Sequence, residues 1–527
     1  MEISSSGCEA QSDGGTQAGR GVWSTTPSPQ LPTELLAEIF RSSLPSAELT
    51  LNRVEARLLS YMRKLYKMRL VAKRWQEIID GTPTFWTFVL SILPPDVNET
   101  TILRSRNGFL AIVYAFAPRE GGYLSAKDFF KSCAHIFPRW SAYRGPLLSE
   151  YLEKPAPQLE TIIVMRNNGH DEPLELLGGC ATSVRHVDPS YVSIRWKAGL
   201  FTKLKVLKLV KVGHNPQELN TTLLLDILLA SPFLEQLEFS RMDVITDTSS
   251  SYPIITLPRL RSICFYDCPY TFTGGILRQI RASSCTNFRL TVRMDGLDLP
   301  RLMDDLRPFQ EVFREINRRN QLSGIKLNLN AFEWSSGGLG SENYSLFSVH
   351  IYGNLPATCI RWVGHILQSE PGLSIRFELG ANVSRDVFES MASMRCVTRV
   401  EIVAIWREDE VLSVLRFIGD PFSAGSSLPS LPCLREIIFD GTFWNLQTLL
   451  DMVHPRFNSL SWEHAERALL RVSVIRRAVS GRIIDLTTLT KLREMDGVES
   501  VQLLGPEQPD GCLAITWDEE TSKPVRG

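Results

Sequence analysis

The sequence predicts an α/β protein in which a small all-α three-helix module precedes a long, irregularly repetitive α/β region. Within residues 31–79, apolar residues recur every three or four positions, which is the period of helices with one buried face. After residue 157, short segments of alternating apolar and polar residues are separated by amphipathic helical stretches, which indicates strands and helices in turn. The chain has 527 residues, more than one compact core usually holds.

These patterns predict five segments. Residues 1–28, rich in Ser and Gly, are expected to be disordered, and residues 29–90 to form the helical module. Residues 91–156 are expected to connect the module to the repetitive region and to pack on it. Residues 157–505 form that region, and residues 506–527 are a C-terminal tail.

The first predicted helix begins at Pro32, which suits a first helical turn because its missing N–H is no loss there. Glu34 lies where the helix dipole favours negative charge. Pro45 cannot continue a helix, so this helix is expected to end near Ser42 or Ser43. Its apolar face consists of Leu35, Leu36, Ile39 and Phe40.

A longer second element is predicted from a single apolar stripe, in steps of three or four residues. A stop signal follows at Asp80-Gly81 and Pro83, with Gly81 expected to supply a left-handed cap conformation. The stripe consists of Leu58, Met62, Leu65, Met68, Ala72, Trp75 and Ile79.

Between residues 53 and 74 the charged positions are strongly basic, with Glu55 as the single acidic residue. They can form an ordinary solvated helix face, or a surface that complements an acidic partner or a polyanion; the sequence leaves both open. The basic residues are Arg53, Arg57, Arg63, Lys64, Lys67, Arg69, Lys73 and Arg74.

Three motifs stand in order along this stretch: Leu31-Pro32-Thr33-Glu34-Leu35-Leu36 with Ile39-Phe40, then Val71 with Arg74-Trp75, then Ile78-Ile79 with Thr82-Pro83 and Trp86. Together they resemble the F-box domain, in the form common in mushroom-type fungi. Residues 102–110 are similar to the region that follows the F-box in those proteins. The resemblance covers residues 31 to about 110, with a Phe40–Leu65 interval that is longer than in the usual form.

The resemblance implies a protein that binds a Skp-type adaptor and thereby joins a cullin–RING ubiquitin ligase. By that analogy, Leu31, Pro32, Leu35, Leu36, Ile39 and Phe40, with Glu34 among them, would enter the adaptor groove. Val71, Arg74 and Trp75 would complete the contact or brace the helices behind it. The alternative for Val71 and Trp75 is that they are core residues of the three-helix module.

The repetitive region returns to one pattern, in which a short strand follows a turn marked by Pro or Ser. Copies lie at residues 158–164, 204–209, 232–239, 258–265 and 432–439. Their spacing, about 20 to 45 residues, overlaps and overruns the leucine-rich-repeat period. We therefore expect an irregular leucine-rich-repeat-like α/β solenoid, with parallel strands on one face and helices on the other. An α/β barrel is the alternative, although the units are too uneven to close a ring.

Composition and motifs favour a non-catalytic protein. No phosphate-binding loop, nucleophile elbow or HExxH motif occurs, so no catalytic residue, cofactor or metal ligand is predicted. The net charge is −1, which makes a nucleic-acid partner an unfavoured alternative. No apolar run approaches the ~20 residues that span a bilayer. Ten scattered cysteines without a secretory signal indicate free thiols in the cytoplasm or nucleus.

Two functions follow. The first is a substrate receptor that holds an unknown protein client on the solenoid and the adaptor on the module. The second is a scaffold that binds the adaptor without delivering a client for ubiquitination. An enzyme hidden in the α/β region is a third, weaker alternative.

Overall fold

The computed structural model describes most of the chain from residue 31 onwards; the segment 1–28 lies outside the described residues. The described residues are 31–45, 54–115, 124–165, 173, 175–179, 181–192, 194–197, 200–211, 219–242, 252–293, 299–320, 323–328, 331–336, 347–352, 357–367, 373–379, 385–392, 394, 396–404, 414, 416–418, 431, 433–441, 451, 470–475, 490–491, 494, 498–504, 514–517 and 524–526.

The chain divides into two compact units. Unit 1 comprises Met1–Thr87 and Thr100–Gly108, and unit 2 comprises Phe88–Glu99 and Phe109–Gly527. The predicted helical module ended at residue 90 and did not include Thr100–Gly108, which the prediction placed in the connecting segment.

Unit 1 contains three α-helices within residues 33–81: α1 (Thr33–Ser43), α2 (Val54–Arg69) and α3 (Lys73–Gly81), followed by a 3-10 helix at Pro83–Phe85. Helix α1 begins one residue later than predicted: Pro32 is its N-cap residue, with ψ 148°, and the carbonyl of Pro32 accepts the N–H of Leu36 at 3.1 Å. The predicted end near Ser43 is confirmed, because Leu44 already has extended backbone.

The single stripe predicted after residue 54 was wrong, because residues 70–72 interrupt the helix. Ala72 is extended, with φ −157° and ψ 151°, and starts α3 as its N-cap residue. Ala72 is exposed instead of buried, so the stripe divides into a buried face of α2 and a separate face of α3.

The cap conformation expected for Gly81 was also wrong. Gly81 is the last residue of α3 and is not left-handed. Thr82 ends the helix instead: its hydroxyl donates to the carbonyl of Ile78 at 2.6 Å, and its N–H donates to the carbonyl of Ile79 at 3.3 Å.

In the described residues of unit 2, 19 strands form one sheet, with a separate pair of short strands. The strands are β1 (Phe88–Leu90), β2 (Leu110–Val113), β3 (Trp140–Pro146), β4 (Thr161–Met165), β5 (His186–Ser190), β6 (Val206–Val210), β7 (Gln236–Ser240), β8 (Ile255–Thr256), β9 (Ser262–Pro269), β10 (Ile280–Arg281), β11 (Asn287–Arg293), β12 (Ser323–Asn328), β13 (Ala331–Ser336), β14 (Phe347–Tyr352), β15 (Leu373–Leu379), β16 (Val397–Ala404), β17 (Glu436–Gly441), β18 (Leu470–Ile475), β19 (Val498–Leu504), β20 (Ala514–Trp517) and β21 (Pro524–Arg526).

Neighbouring strands in the sheet nearly follow chain order. Strands β1 to β7, β9, β11 and β14 pair in parallel, and so do β12 and β15 to β19, while β8 pairs with β10 apart from the sheet. The large parallel sheet is therefore confirmed. The predicted segments at 158–164, 204–209, 232–239, 258–265 and 432–439 contain or overlap β4, β6, β7, β9 and β17.

Two features of the sheet differ from the prediction. The last residues of the predicted module supply β1, the connecting segment supplies β2 and β3, and the tail supplies β20 and β21, so the sheet extends beyond residues 157–505 at both ends. Strand β13 lies antiparallel between β12 and β14. Only two residues join β12 to β13, and a connection that short permits only an antiparallel pair.

Buried and more exposed side chains alternate along the central strands, so the sheet has a core face and an opposite face. On the core face, Leu207, Leu237 and Ile263 are fully buried, as are Phe239 and Phe265 one step further along. The side chains between them are half-buried or exposed.

The remaining α-helices are α4 (Pro95–Arg104), α5 (Ala126–Cys133), α6 (Ser149–Leu152), α7 (Thr221–Leu229), α8 (Tyr270–Gln279), α9 (Leu299–Leu306), α10 (Gln310–Asn320), α11 (Ala357–Ile366) and α12 (Arg385–Ala392), and further 3-10 helices lie at Ala134–Arg139, Leu176–Gly179 and Arg307–Phe309.

Helices α8 and α9 meet around one buried carboxylate, Asp305, which is 5% exposed. Tyr270 donates its hydroxyl to Asp305 at 3.1 Å, and Arg278 donates from Nε at 2.8 Å and from Nη2 at 3.1 Å. Such a close approach requires a small residue at Gly274, where a Cβ would lie 2.6 Å from Asp305 Oδ2.

We expect Gly274→Ala to lower the free energy of unfolding by about 1–3 kcal/mol, since the methyl group forces the two helices apart. Gly275→Ala is the matched control. A Cβ there would lie 3.7 Å from Thr221, an ordinary contact, and Ala is favoured over Gly in a helix by up to about 1 kcal/mol. Denaturant unfolding followed by circular dichroism measures both. Equal effects of the two substitutions would contradict the packing argument.

Candidate functional site

One side of α1 exposes large apolar side chains. Leu31 is 47% exposed, Leu35 51% and Ile39 51%. Spacing of four residues places such positions one above the other on a helix, so Leu35 and Ile39 share a side and Leu31 precedes them. These residues are three of those that the sequence predicted for adaptor contact.

The opposite side of α1 is fixed to the core of unit 1. Phe40 is 1% exposed and packs on Trp75 of α3, with ring centroids 4.6 Å apart and planes at 52°. Leu36 and Trp75 are half-buried. Phe40 was expected to enter a partner's groove; its burial makes it a residue that holds α1 on α3 and gives it no surface to offer a partner.

The start of α3 lies beside the start of α1. Arg74 donates from Nη2 to the carbonyl oxygen of Leu31 at 2.5 Å, which ties the chain before α1 to α3. Immediately before α3, Val71 is 62% exposed, so the alternative that it is a core residue was wrong. Leu70, at 86%, is more exposed still, and no sequence pattern pointed to it because it lies off the predicted stripe.

We call these five side chains the exposed apolar set: Leu31, Leu35, Ile39, Leu70 and Val71. Pro32 and Glu34, also predicted for the site, are exposed at the start of α1, with Glu34 in its first turn. A small helical unit gains no stability from apolar side chains that stay in water, so the set is surplus to folding.

The core of unit 1 is complete without the exposed apolar set. Trp86 is fully buried, and its indole N–H donates to the carbonyl of Ile79 at 2.9 Å. The Arg104 guanidinium lies over the Trp86 ring, 4.5 Å from its centroid. Burial raises the pKa of Tyr61 to about 12, against a smaller opposing effect of Arg41, and its hydroxyl donates to the Phe85 carbonyl at 3.3 Å.

The basic face predicted from residues 53–74 is only partly free for a partner. Arg69 donates from Nη2 to Asp80 at 3.0 Å, Lys64 donates to the carbonyl of Ser43, and Arg74 is held by Leu31 as described. Arg53 lies outside the described residues. The exposed remainder is Arg57, Arg63, Lys67 and Lys73.

In unit 2, the face of the sheet opposite the core carries charged side chains in register. Asp188, Lys208, Glu238, Cys264 and Arg289 follow one another on β5, β6, β7, β9 and β11, and all are half-buried. Lys208 Nζ lies 3.1 Å from Glu238 Oε2. We call these five residues and the same side of their strands the open face.

Burial shifts two groups of β5 in opposite directions. It raises the pKa of Asp188 from 3.8 to about 6, with smaller contributions from Lys208 and Arg144, which lower it, and Glu238, which raises it. It lowers the pKa of His186 from 6.5 to about 4, with Lys208 acting in the same direction. Near neutral pH, His186 is therefore neutral and Asp188 is mostly ionised.

Comparisons of the chain with protein-family models and with curated proteins found no match. Among the described residues, no group of three or more His, Cys, Asp or Glu side chains is placed to hold a metal ion. None of the helices in the described part of the chain is long and apolar enough to cross a bilayer. The seven cysteines in the part of the chain that the structure describes are free, and burial raises the thiol pKa of Cys264 and Cys359 to about 12.

We expect Asp188→Asn and His186→Gln to change the slope of the free energy of unfolding against pH in opposite directions. Between about pH 4 and 6, the folded protein holds a proton on Asp188 that the unfolded chain has released, so this group makes stability fall as pH rises. Over about pH 4 to 6.5, the unfolded chain holds a proton that folded His186 has released, so this group makes stability rise with pH.

Removing one group leaves the slope of the other, up to about 1.4 kcal/mol per pH unit. Relative to the unsubstituted protein, Asp188→Asn should therefore gain stability with rising pH, and His186→Gln should lose it. Urea unfolding at pH 4, 5, 6 and 7 measures both slopes, and the double substitution, in which both slopes vanish, is the internal control. Two single variants that tilt the same way would show the assignment to be wrong.

Proposed function

We propose that this chain is the non-catalytic substrate-recognition subunit of a Skp–cullin–F-box type ubiquitin ligase. Unit 1 would be an F-box that docks to a Skp-type adaptor, and the sheet of unit 2 would be a leucine-rich-repeat-like solenoid that holds a protein client. The observation that carries the proposal is the exposed apolar set on a unit whose core is already complete.

The positions of the exposed residues support the docking role. The motif that resembles the F-box predicted Leu31, Leu35, Ile39 and Val71 for the adaptor contact, and each of them keeps about half or more of its surface in water. Burial of the exposed half of one such side chain is worth on the order of 1 kcal/mol. Four or five together supply enough apolar contact for a stable partner.

The architecture of unit 2 supports the client-binding role. A long, mostly parallel sheet presents an extended face of outward side chains, and folds of that kind bind partners over a wide surface. Binding both partners through one chain raises the effective concentration of client near the transfer machinery, so the subunit needs no catalytic group of its own. The ligase would act in the cytoplasm, the nucleus or both.

The first test of the docking role is Leu35→Asp and Ile39→Asp in the full chain. Each places a charge in the apolar contact, and we expect at least a ten-fold loss of affinity for a purified Skp-type adaptor, measured by calorimetry. Both positions are half-exposed, so stability should change by less than about 0.5 kcal/mol.

Leu229→Asp is the matched control, since Leu229 is 53% exposed on a helix of unit 2. Its affinity for the adaptor should equal that of the unsubstituted protein. Unchanged adaptor binding by Leu35→Asp and Ile39→Asp would refute the docking surface. Equal loss in Leu229→Asp would point to a non-specific effect of charge.

The choice between a client receptor and a scaffold needs a different measurement. Cells that produce the full chain or the Leu35→Asp variant are compared for the half-lives of proteins bound to the chain. A receptor predicts at least one client whose half-life lengthens with the variant, and a scaffold predicts none. Leu229→Asp should leave the half-lives as they are.

A further inference from the structure

Two cations of the central strands have no acidic partner among the described residues: Arg289, the third residue of β11, and Lys211, which lies just past the carboxyl end of β6. Nearby, Lys208 pairs with Glu238 at 3.1 Å and Arg241 with Asp267 at 3.6 Å. Arg289 and Lys211 lie within 4 Å of no described carboxylate. Asp188 also has no ion pair within 4 Å among the described residues, so this region keeps two positive charges against one negative charge.

Arg289 lies on β11, in register with Cys264 on one side and Ser348 on the other. The side chain is half-buried, and its Nε is buried without a hydrogen-bond partner among the described residues. A buried donor without an acceptor costs free energy, which an anion bound at the guanidinium would recover.

Lys211 follows β6 and lies over an aromatic ring. Its Nζ is 5.5 Å from the ring centroid of Tyr191, which follows β5 and is 37% exposed. The backbone of both residues is left-handed, with φ 49° and 60°, and each N–H donates to the end of the next strand. These bonds fix both residues where the strands end.

One row of side chains on this face consists of three small or short residues and an exposed aromatic residue. One register row consists of Ser190, Val210, Ser240 and Tyr266, on β5, β6, β7 and β9. The first three are small or short, whereas Tyr266 is 50% exposed. Exposed tyrosines beside small residues are common anchors in protein interfaces.

We propose that this surface binds an extended acidic segment of the client protein, with one carboxylate on Lys211 and another on Arg289. The proposal rests on the client-receptor role. Lys211 and Arg289 are three strands apart, or ~14 Å at ~4.8 Å per strand, and three residues apart along the strands, or ~10 Å. Their separation is ~17 Å, which an extended chain covers in about five residues.

An acidic protein segment fits this surface better than a nucleic acid does. Lys211 and Arg289 have no carboxylate within 4 Å among the described residues, and Asp188 and Glu238 lie between or beside them. A polyphosphate backbone needs many cations and would be repelled by those carboxylates. Two separated carboxylates of a client segment can contact Lys211 and Arg289 while Asp188 and Glu238 stay in water.

The test uses the full chain and fluorescein-labelled peptides of equal length and charge, read by fluorescence anisotropy. One peptide is Tyr-Glu-Ser-Gly-Ser-Ser-Glu, with acids five positions apart, and the other is Tyr-Ser-Gly-Glu-Glu-Ser-Ser, with adjacent acids. We expect the first to bind about ten-fold more tightly, since only its acids reach both cations. Arg289→Gln and Lys211→Gln should each remove most of that preference.

Lys127→Gln is the control, because it removes an exposed charge from α5, outside this surface. It should leave peptide binding unchanged, and thermal unfolding should show that all variants are folded. Equal binding of the two peptides, no binding at 1 mM, or an equal loss in Lys127→Gln would each overturn the proposal. So would tighter binding of a single-stranded oligonucleotide that Arg289→Gln weakens.

The adaptor experiment separates failure of this inference from failure of the proposed function. If Arg289→Gln and the unsubstituted protein bind the adaptor equally but no peptide preference appears, the acidic-segment proposal alone is wrong. If the adaptor does not bind either protein, the client-receptor role fails whatever the peptides do.

Discussion

The parallel register of the central strands determines where every charged side chain of the sheet lies. In one row, Val187, Leu207 and Leu237 are fully buried, and in the next row Asp188, Lys208 and Glu238 face the other way. A slip of one residue would exchange the rows and place ions in the core, at a cost of several kcal/mol for each. The register is therefore strongly specified.

The same register brings opposite charges together across neighbouring strands. Strands lie ~4.8 Å apart, so side chains in one row are within reach of an ion pair. Lys208 with Glu238 is one example, and Arg376 with Glu401, at 3.0 Å, is another. Glu401 is only 5% exposed, so its charge is tolerated because Arg376 and Arg399 lie beside it. An uncompensated cation such as Arg289 differs from this pattern.

Local sequence patterns predicted where the strands lie in the chain better than they predicted which strands pair in the sheet. Alternation located the strands near residues 162, 207 and 237, since one buried face dictates a period of two. It could not show that β14, and not β12, is the neighbour of β11, because that depends on the hairpins formed by β12, β13 and β14. Because β14 is the neighbour of β11, Arg289 lies beside Ser348 and not beside a carboxylate. No sequence pattern revealed this pairing.

The candidate site of unit 1 shows the same limit. The motif identified Leu31, Leu35 and Ile39, whose exposure agrees with a contact role. It also named Phe40, whose burial depends on Trp75, 35 positions later in the chain. The break at residues 70–72 carries no Gly or Pro, so spacing alone continued the helix through it. Tertiary packing decided both points.

Mixed charge on the open face favours selection of a client by the spacing of its carboxylates over selection by its net charge. A uniformly basic surface would attract any acidic partner, with an affinity that falls as salt is added. Here Asp188 and Glu238 would repel carboxylates that are not aligned with Lys211 or Arg289. Specificity is a difference between affinities, and repulsive groups beside the attractive ones enlarge that difference. Under the proposed function, the acids of the open face would therefore exclude wrong clients as much as the two cations recruit the right one.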